Sequence, residues 1–206
     1  MPILRALFLV LAAYFTFVAL PASQAANFKT TERVKHYSVS GTTGPELYAS
    51  IGQNGPRISG GRRTIALTDW DLKWRRDYRP QSGSGGQSCR LRSAKPFFTL
   101  IYTLPKPTAR LRGATARYWK IFYDGLAAHE KIHGAYASDM VATIIRTTVG
   151  LTVENDPRCR KIRAQVLTRV KAALTAYNER SRAFDRHEMA AGGVVERLVR
   201  LLLESG

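Results

Sequence analysis

Cysteine is scarce in this chain of 206 residues: there are two, Cys89 and Cys159, and neither stands in a Cys-x-x-Cys pair. That excludes dithiol redox chemistry and thiolate-based zinc sites as readings of the sequence. Acidic residues are also few, 15 Asp and Glu against 32 Lys and Arg, which leaves a formal net charge of +17. The basic residues are not gathered into one block with interleaved aromatics. They are spread as Arg57, Arg62, Arg63, Lys73, Arg75, Arg76, Arg110, Arg112, Arg158, Arg160 and Lys161. No nucleic-acid partner is expected from this distribution, and the charge suits a solvated basic surface or attraction to an anionic envelope surface or an acidic substrate. Beyond the first segment there is no apolar run near the roughly 20 residues that a membrane-spanning helix requires.

That first segment, residues 1–25, reads as a secretory signal. Arg5 supplies the positive start, Leu7 to Leu20 the apolar stretch, and Ser23-Gln24-Ala25 a small-x-small cleavage site near Ala25/Ala26. The competing reading is a membrane anchor, disfavoured by Pro21 and the small residues after it. A periplasmic or secreted chain with no membrane span after cleavage is expected, and residues 26–206 suit one domain. In an oxidising compartment Cys89 and Cys159 are expected to be joined, which on the chain-entropy model would stabilise the fold by roughly 4 kcal/mol.

The pattern along the chain predicts an α+β fold, with a small antiparallel N-terminal sheet over residues 34–104 followed by a long helical hairpin. Residues 34–40 alternate in period two and end at Gly41, and a short helix fits Leu47, Tyr48 and Ile51. Strands are expected at 64–67, at 70–74 with Trp70, Leu72 and Trp74 on one face, at 89–91, and at 97–104 between Pro96 and Pro105. The Gly/Ser-rich stretch Pro80 to Ser88 reads as a turn or mobile loop. From Ala114 the period becomes 3.6 and persists to Gly150, so a long helix is expected there, with a second from Asp156-Pro157 to about residue 190. A terminal helix is expected at 194–203.

Inside the first long helix stands His129-Glu130-Lys131-Ile132-His133. Residues four apart share a helix face, so two imidazoles converge on one ion while the intervening glutamate projects beside it. Zinc held by neutral imidazoles keeps a position for water and lowers that water's pKa towards about 7. Glu130 would serve as general base in amide hydrolysis. The bland alternative is a surface helix carrying a Glu and two solvated histidines.

The order of segments resembles a bacterial family of predicted secreted zinc-dependent proteases, a domain of unknown function with this motif. The features that carry the resemblance are Tyr37-Ser38-Val39-Ser40-Gly41-Thr42-Thr43 followed by Glu46-Leu47, then Gly55-Pro56, Ala66-Leu67-Thr68-Asp69-Trp70 with Trp74, Cys89, Trp119, His129 to His133, Cys159 and Phe184-Asp185. The resemblance implies a fold and a chemistry. It identifies no substrate, and the family's His-Gly after the aromatic-Asp pair is missing here.

A third metal ligand is needed, and the sequence leaves it open. His187 is the only histidine downstream of the motif and leads. Asp139 lies ten residues after His129, but Tyr136 stands where a sharp turn would need glycine. Glu179, Asp185 and Glu188 complete the set. A straight hairpin closed between Gly150 and Asp156 would put His129 and His133 opposite residues 172–177, so His187 requires the second helix to end or bend before it. Tyr136 and Tyr177 are near enough to be considered as oxyanion donors, with core packing the better reading of each; His36 and the three tryptophans are expected to be structural. The leading expectation is an exported zinc endopeptidase or related amidase acting on a protein or peptide substrate. The alternative is a non-catalytic basic envelope protein that binds an anionic partner on a degenerate metalloprotease fold.

Overall fold

A computed structural model describes residues 28–58, 60–83 and 86–205; the expected signal segment lies outside them. The elements are β1 (Thr30–Val39), α1 (Gly44–Asn54), β2 (Leu67–Gly83), β3 (Gly86–Pro107), α2 (Gly113–Thr148), β4 (Thr152–Glu154), α3 (Arg160–Met189) and α4 (Val194–Leu203). None of these helices is long and apolar enough to cross a membrane.

The class is α+β, but the sheet is mixed where an antiparallel one was expected. β3 is its centre, flanked by β2 antiparallel and by β1 parallel, with Thr30 opposite Phe98 and Val39 opposite Pro107. Alternation marks a strand's two faces and carries no information about the partner's direction, so the pattern at 34–40 is as compatible with the parallel pairing found as with an antiparallel one. The short β4 pairs Thr152–Glu154 with Ser88–Arg90 of β3. Residues 80–83 and 86–88, expected in a turn or mobile loop, are strand. There β2 and β3 pair as far as Gly83 with Gly86. This end of the hairpin is largely exposed on the β2 side, so backbone pairing carries it without the apolar alternation that would have revealed it. Nor do the prolines bound β3. Pro96 falls in the gap between the β4 pairing and the β1 pairing, and Pro105 and Pro107 lie beyond the end of β2. Each therefore sits where β3 has a strand on one side only, the place a sheet admits proline.

Three apolar clusters join the layers. The first packs Leu47 and Ile51 of α1 with Trp119, Phe122 and Leu126 of α2 and Leu198 and Leu202 of α4. α1 reaches α4 so closely that a Cβ on Gly44 would lie 1.7 Å from the Leu202 carbonyl oxygen. The second sets Phe98, Leu100 and Tyr102 of the sheet against Ala137, Met140, Val141 and Ile144 of α2 and Ala173 of α3. The third gathers Leu91, Ile162 and Val166 about the Cys89–Cys159 disulfide, whose cysteines are 70 residues apart in sequence.

The third cluster sets the register of the helical hairpin. α2 and α3 run antiparallel, with Arg169 bonded to the Thr147 carbonyl, Arg180 paired with Asp139 at 3.2 Å, and Asp185 beside His133. Residues Arg160–Arg169 thus overhang the end of α2 by nearly three turns. They overhang because the link does not close the hairpin by the shortest route. It first pairs with β3 as β4 and is tied there by the disulfide. Asp156 does cap α3, but from outside it: its carboxylate accepts the backbone N–H groups of Arg160, Lys161 and Ile162 at 2.7, 3.2 and 2.9 Å, satisfying donors that a helix start leaves free.

Candidate metal centre

α2 supplies two imidazoles because four residues make about one turn. His129, Glu130 and His133 are 5%, 4% and 8% exposed, on the face of α2 that meets the sheet and α3. Close approach to the sheet at this point depends on Gly134, where a Cβ would lie 2.2 Å from the Tyr102 hydroxyl. The Nε2 atoms of His129 and His133 are 3.1 Å apart. Asp185 of α3 completes a triangle, its Oδ1 2.9 Å from His133 Nε2 and 3.3 Å from His129 Nε2.

Two neutral imidazoles and a carboxylate turned inward would set lone pair against lone pair, an arrangement that a proton or a cation must relieve. In a tetrahedral zinc site with bonds of about 2.0–2.2 Å, ligand atoms lie roughly 3.3–3.5 Å apart. The observed triangle is tighter by a few tenths of an ångström, and its N, N, O donor set suits zinc. The three residues fit such an ion.

The remaining candidates are placed as follows. His187 is one position from the ligand face of α3, and its side chain, 81% exposed, lies against Glu188 at 3.3 Å; it is not brought to the pair. Asp139 is engaged by Arg180, and Glu179 is exposed. Glu188, one turn beyond Asp185, is buried, with Oε2 4.0 Å from His129 Nδ1. That Nδ1 is itself buried with no hydrogen-bond partner among the described residues. Tyr177 packs edge-on against Trp70, whereas Tyr136 flanks the centre, its ring edge-on to both His133 and Phe184. His36 pairs with the Tyr123 hydroxyl, distant in sequence from the motif.

Two contributors escaped the reading by motif. Phe184 stacks on His129 with ring centroids 4.7 Å apart, holding that imidazole flat against α3. Thr68, at the start of β2, has its hydroxyl 2.6 Å from Glu130 Oε2 and 2.9 Å from the Glu130 carbonyl. Both stand in segments that carried the resemblance, the Ala66–Trp70 string and the Phe184-Asp185 pair, and that was their only signal.

The electrostatics follow from burial and mutual contact. Burial pushes the Glu130 carboxyl up, and the Thr68 hydrogen bond and the two histidines pull it back only in part. Burial also opposes ionisation of Asp185, but hydrogen bonds from His129 and His133 outweigh it and hold this carboxyl well below the usual range. His133 moves up: burial disfavours its charge, and the contact with Asp185 overrides that.

The chain matches, over residues 34–193, the model of a family described as a bacterial protein of unknown function, DUF922. The match spans more than half of the sequence, and the chain belongs to that family. No curated protein and no solved structure matches it.

Proposed function

We propose that this member of the family is an exported zinc-dependent peptide hydrolase, with His129, His133 and Asp185 as the residues that would hold the metal and Glu130 as the general base. The observation that carries the reading is the triangle of two buried, helix-borne Nε2 atoms and one half-buried carboxylate oxygen, with a buried glutamate beside it. When bound, zinc would act as a Lewis acid and lower the pKa of water towards about 7.

The chain's own residues supply the rest. Thr68 fixes Oε2 of Glu130, which leaves Oε1 to take the proton of the attacking water and return it to the leaving amine. Burial raises the proton affinity of that carboxylate in the sense that proton uptake requires. Phe184 orients His129, and Glu188 stands where an outer carboxylate would accept the Nδ1 proton of a ligating imidazole. The Cys89–Cys159 disulfide supports export, since such bonds persist in oxidising compartments.

The test is elemental analysis of the purified chain beside Glu130→Gln and His129→Ala, with hydrolysis of a generic unfolded protein followed in the same samples. One zinc per wild-type chain is expected. Glu130→Gln should keep the zinc and lose about 10²–10⁴ in kcat, and His129→Ala should lose both. Iron in place of zinc, or full activity in Glu130→Gln, would overturn the assignment. A folded wild type that takes up no metal would leave the alternative, a basic envelope-binding protein.

A further inference from the structure

The groove that opens at Asp185 is more basic than amide hydrolysis requires. Its volume is about 990 Å³, and it runs between α1 with the loop that follows and the C-terminal part of α3. Arg62 and Arg63 line the loop wall, and Arg182 and Arg186 line the α3 wall. The α3 pair is four residues apart, hence stacked on one helix face. Asp185 is the only acid among the described lining residues, and it is turned to the histidines. Arg63 donates to the Gly55 carbonyl at 2.6 Å, but among the described residues none of the four guanidinium groups makes an ion pair. Four uncompensated charges around one concavity repel one another and concentrate a positive potential in it. Between them Ile65 and Met189 present apolar surface.

The geometry points to a substrate-binding groove for acidic polypeptide, in which Arg182 and Arg186 on one wall and Arg62 and Arg63 on the other take Asp or Glu side chains adjoining the bond cleaved at the centre. The inference rests on the hydrolase reading for the cleavage and on the groove alone for the binding. Guanidinium forks match carboxylates bidentately. The interleaved Ile65 and Met189 suit the aliphatic residues of a peptide better than a uniformly charged polymer such as polyphosphate. The groove also gives the excess of basic residues a local purpose.

Binding is measured by fluorescence anisotropy on Glu130→Gln, so that peptide is not turned over. The probes are a labelled decapeptide with two adjacent central glutamates and its glutamine twin. The glutamate peptide is expected to bind about tenfold more tightly. Adding Arg182→Gln and Arg186→Gln should abolish that preference, as should Arg62→Gln with Arg63→Gln on the opposite wall, where the α3 packing is untouched. Arg160→Gln with Lys161→Gln removes the same charge at the other end of α3, about 35 Å away, and should keep the preference. Equal affinity for the two peptides, a preference that survives both groove variants, or equal loss in the remote control would overturn the inference. Inorganic polyphosphate that binds more tightly than the glutamate peptide, with the same dependence on the groove arginines, would overturn the polypeptide assignment. A preserved preference in Glu130→Gln combined with no hydrolysis of either peptide by the wild type would sink the hydrolase reading and leave the groove standing.

Discussion

Asp185 lies 2.9 Å from His133 although 52 residues separate them in sequence. The contact exists because α3 is set back along α2 by the β4 link, and it brings Asp185 to the histidine pair while His187 stays apart. Asp185→Ala should lose zinc from the purified chain, a larger effect than the roughly 10–100-fold that loss of an outer-shell partner costs. His187→Ala should bind as the wild type does. Zinc titration against a chromophoric chelator reads both, and the reverse pattern would reject the triangle.

Glu188 offers a finer measurement. Its buried carboxylate lies 4.0 Å from the Nδ1 of His129, which has no hydrogen-bond partner among the described residues, close enough to receive that proton once the ring is drawn to a metal. Glu188→Gln is expected to weaken zinc binding by about 10–100-fold with the fold intact. Unchanged affinity would mean that His129 is oriented by Phe184 alone.

The disulfide holds the overhanging start of α3. Replacing Cys89 and Cys159 by serine should cost about 4 kcal/mol on the chain-entropy model for a closed loop of 70 residues. Denaturant unfolding with and without reductant measures it. A wild type indifferent to reductant would show that the Leu91, Ile162 and Val166 cluster suffices.

Tyr102 predicts an alkaline limit. Burial, then the charge of Glu32 that its hydroxyl meets at 3.3 Å, push this phenol up to about 12. A group whose pKa is raised by folding contributes stability that is complete below its ordinary value, about 10 for tyrosine. That contribution is lost as pH rises from there towards about 12. Thermal unfolding scans should therefore show a steep fall above pH ~10 that Tyr102→Phe makes shallower. An equal fall in both proteins would assign the alkaline loss elsewhere.

How much of this was legible in the sequence depends on the range of the interaction. The convergence of His129 and His133 is a property of one helix and could be read from spacing. The cap on α3 was legible as Asp156, though the helix begins later, at Arg160. The direction of β1 was not, because alternation in sequence is the same beside a parallel or an antiparallel neighbour, and burial adds no signal where only Val39 of the strand is buried. The third corner stayed open among His187, Asp139, Glu179, Asp185 and Glu188 for a related reason. A hairpin closed at Gly150 and Asp156 is the shortest path, and nothing in the local pattern of Thr152–Glu154 announces that it will pair with β3 and delay the return. Thr68 and Phe184 carry no chemical signature of their own; only the packed fold gives them a role.

The set-back of α3 makes that helix a measuring rod. Its origin is fixed by the disulfide and the Asp156 cap, and its reading is taken at Asp185, some 25 residues on. A single residue inserted between the two would carry the carboxylate about 1.5 Å along the axis and about 100° around it, out of reach of both imidazoles. Many side chains along this stretch are exposed and free to vary in kind. What the stretch has to keep is its length.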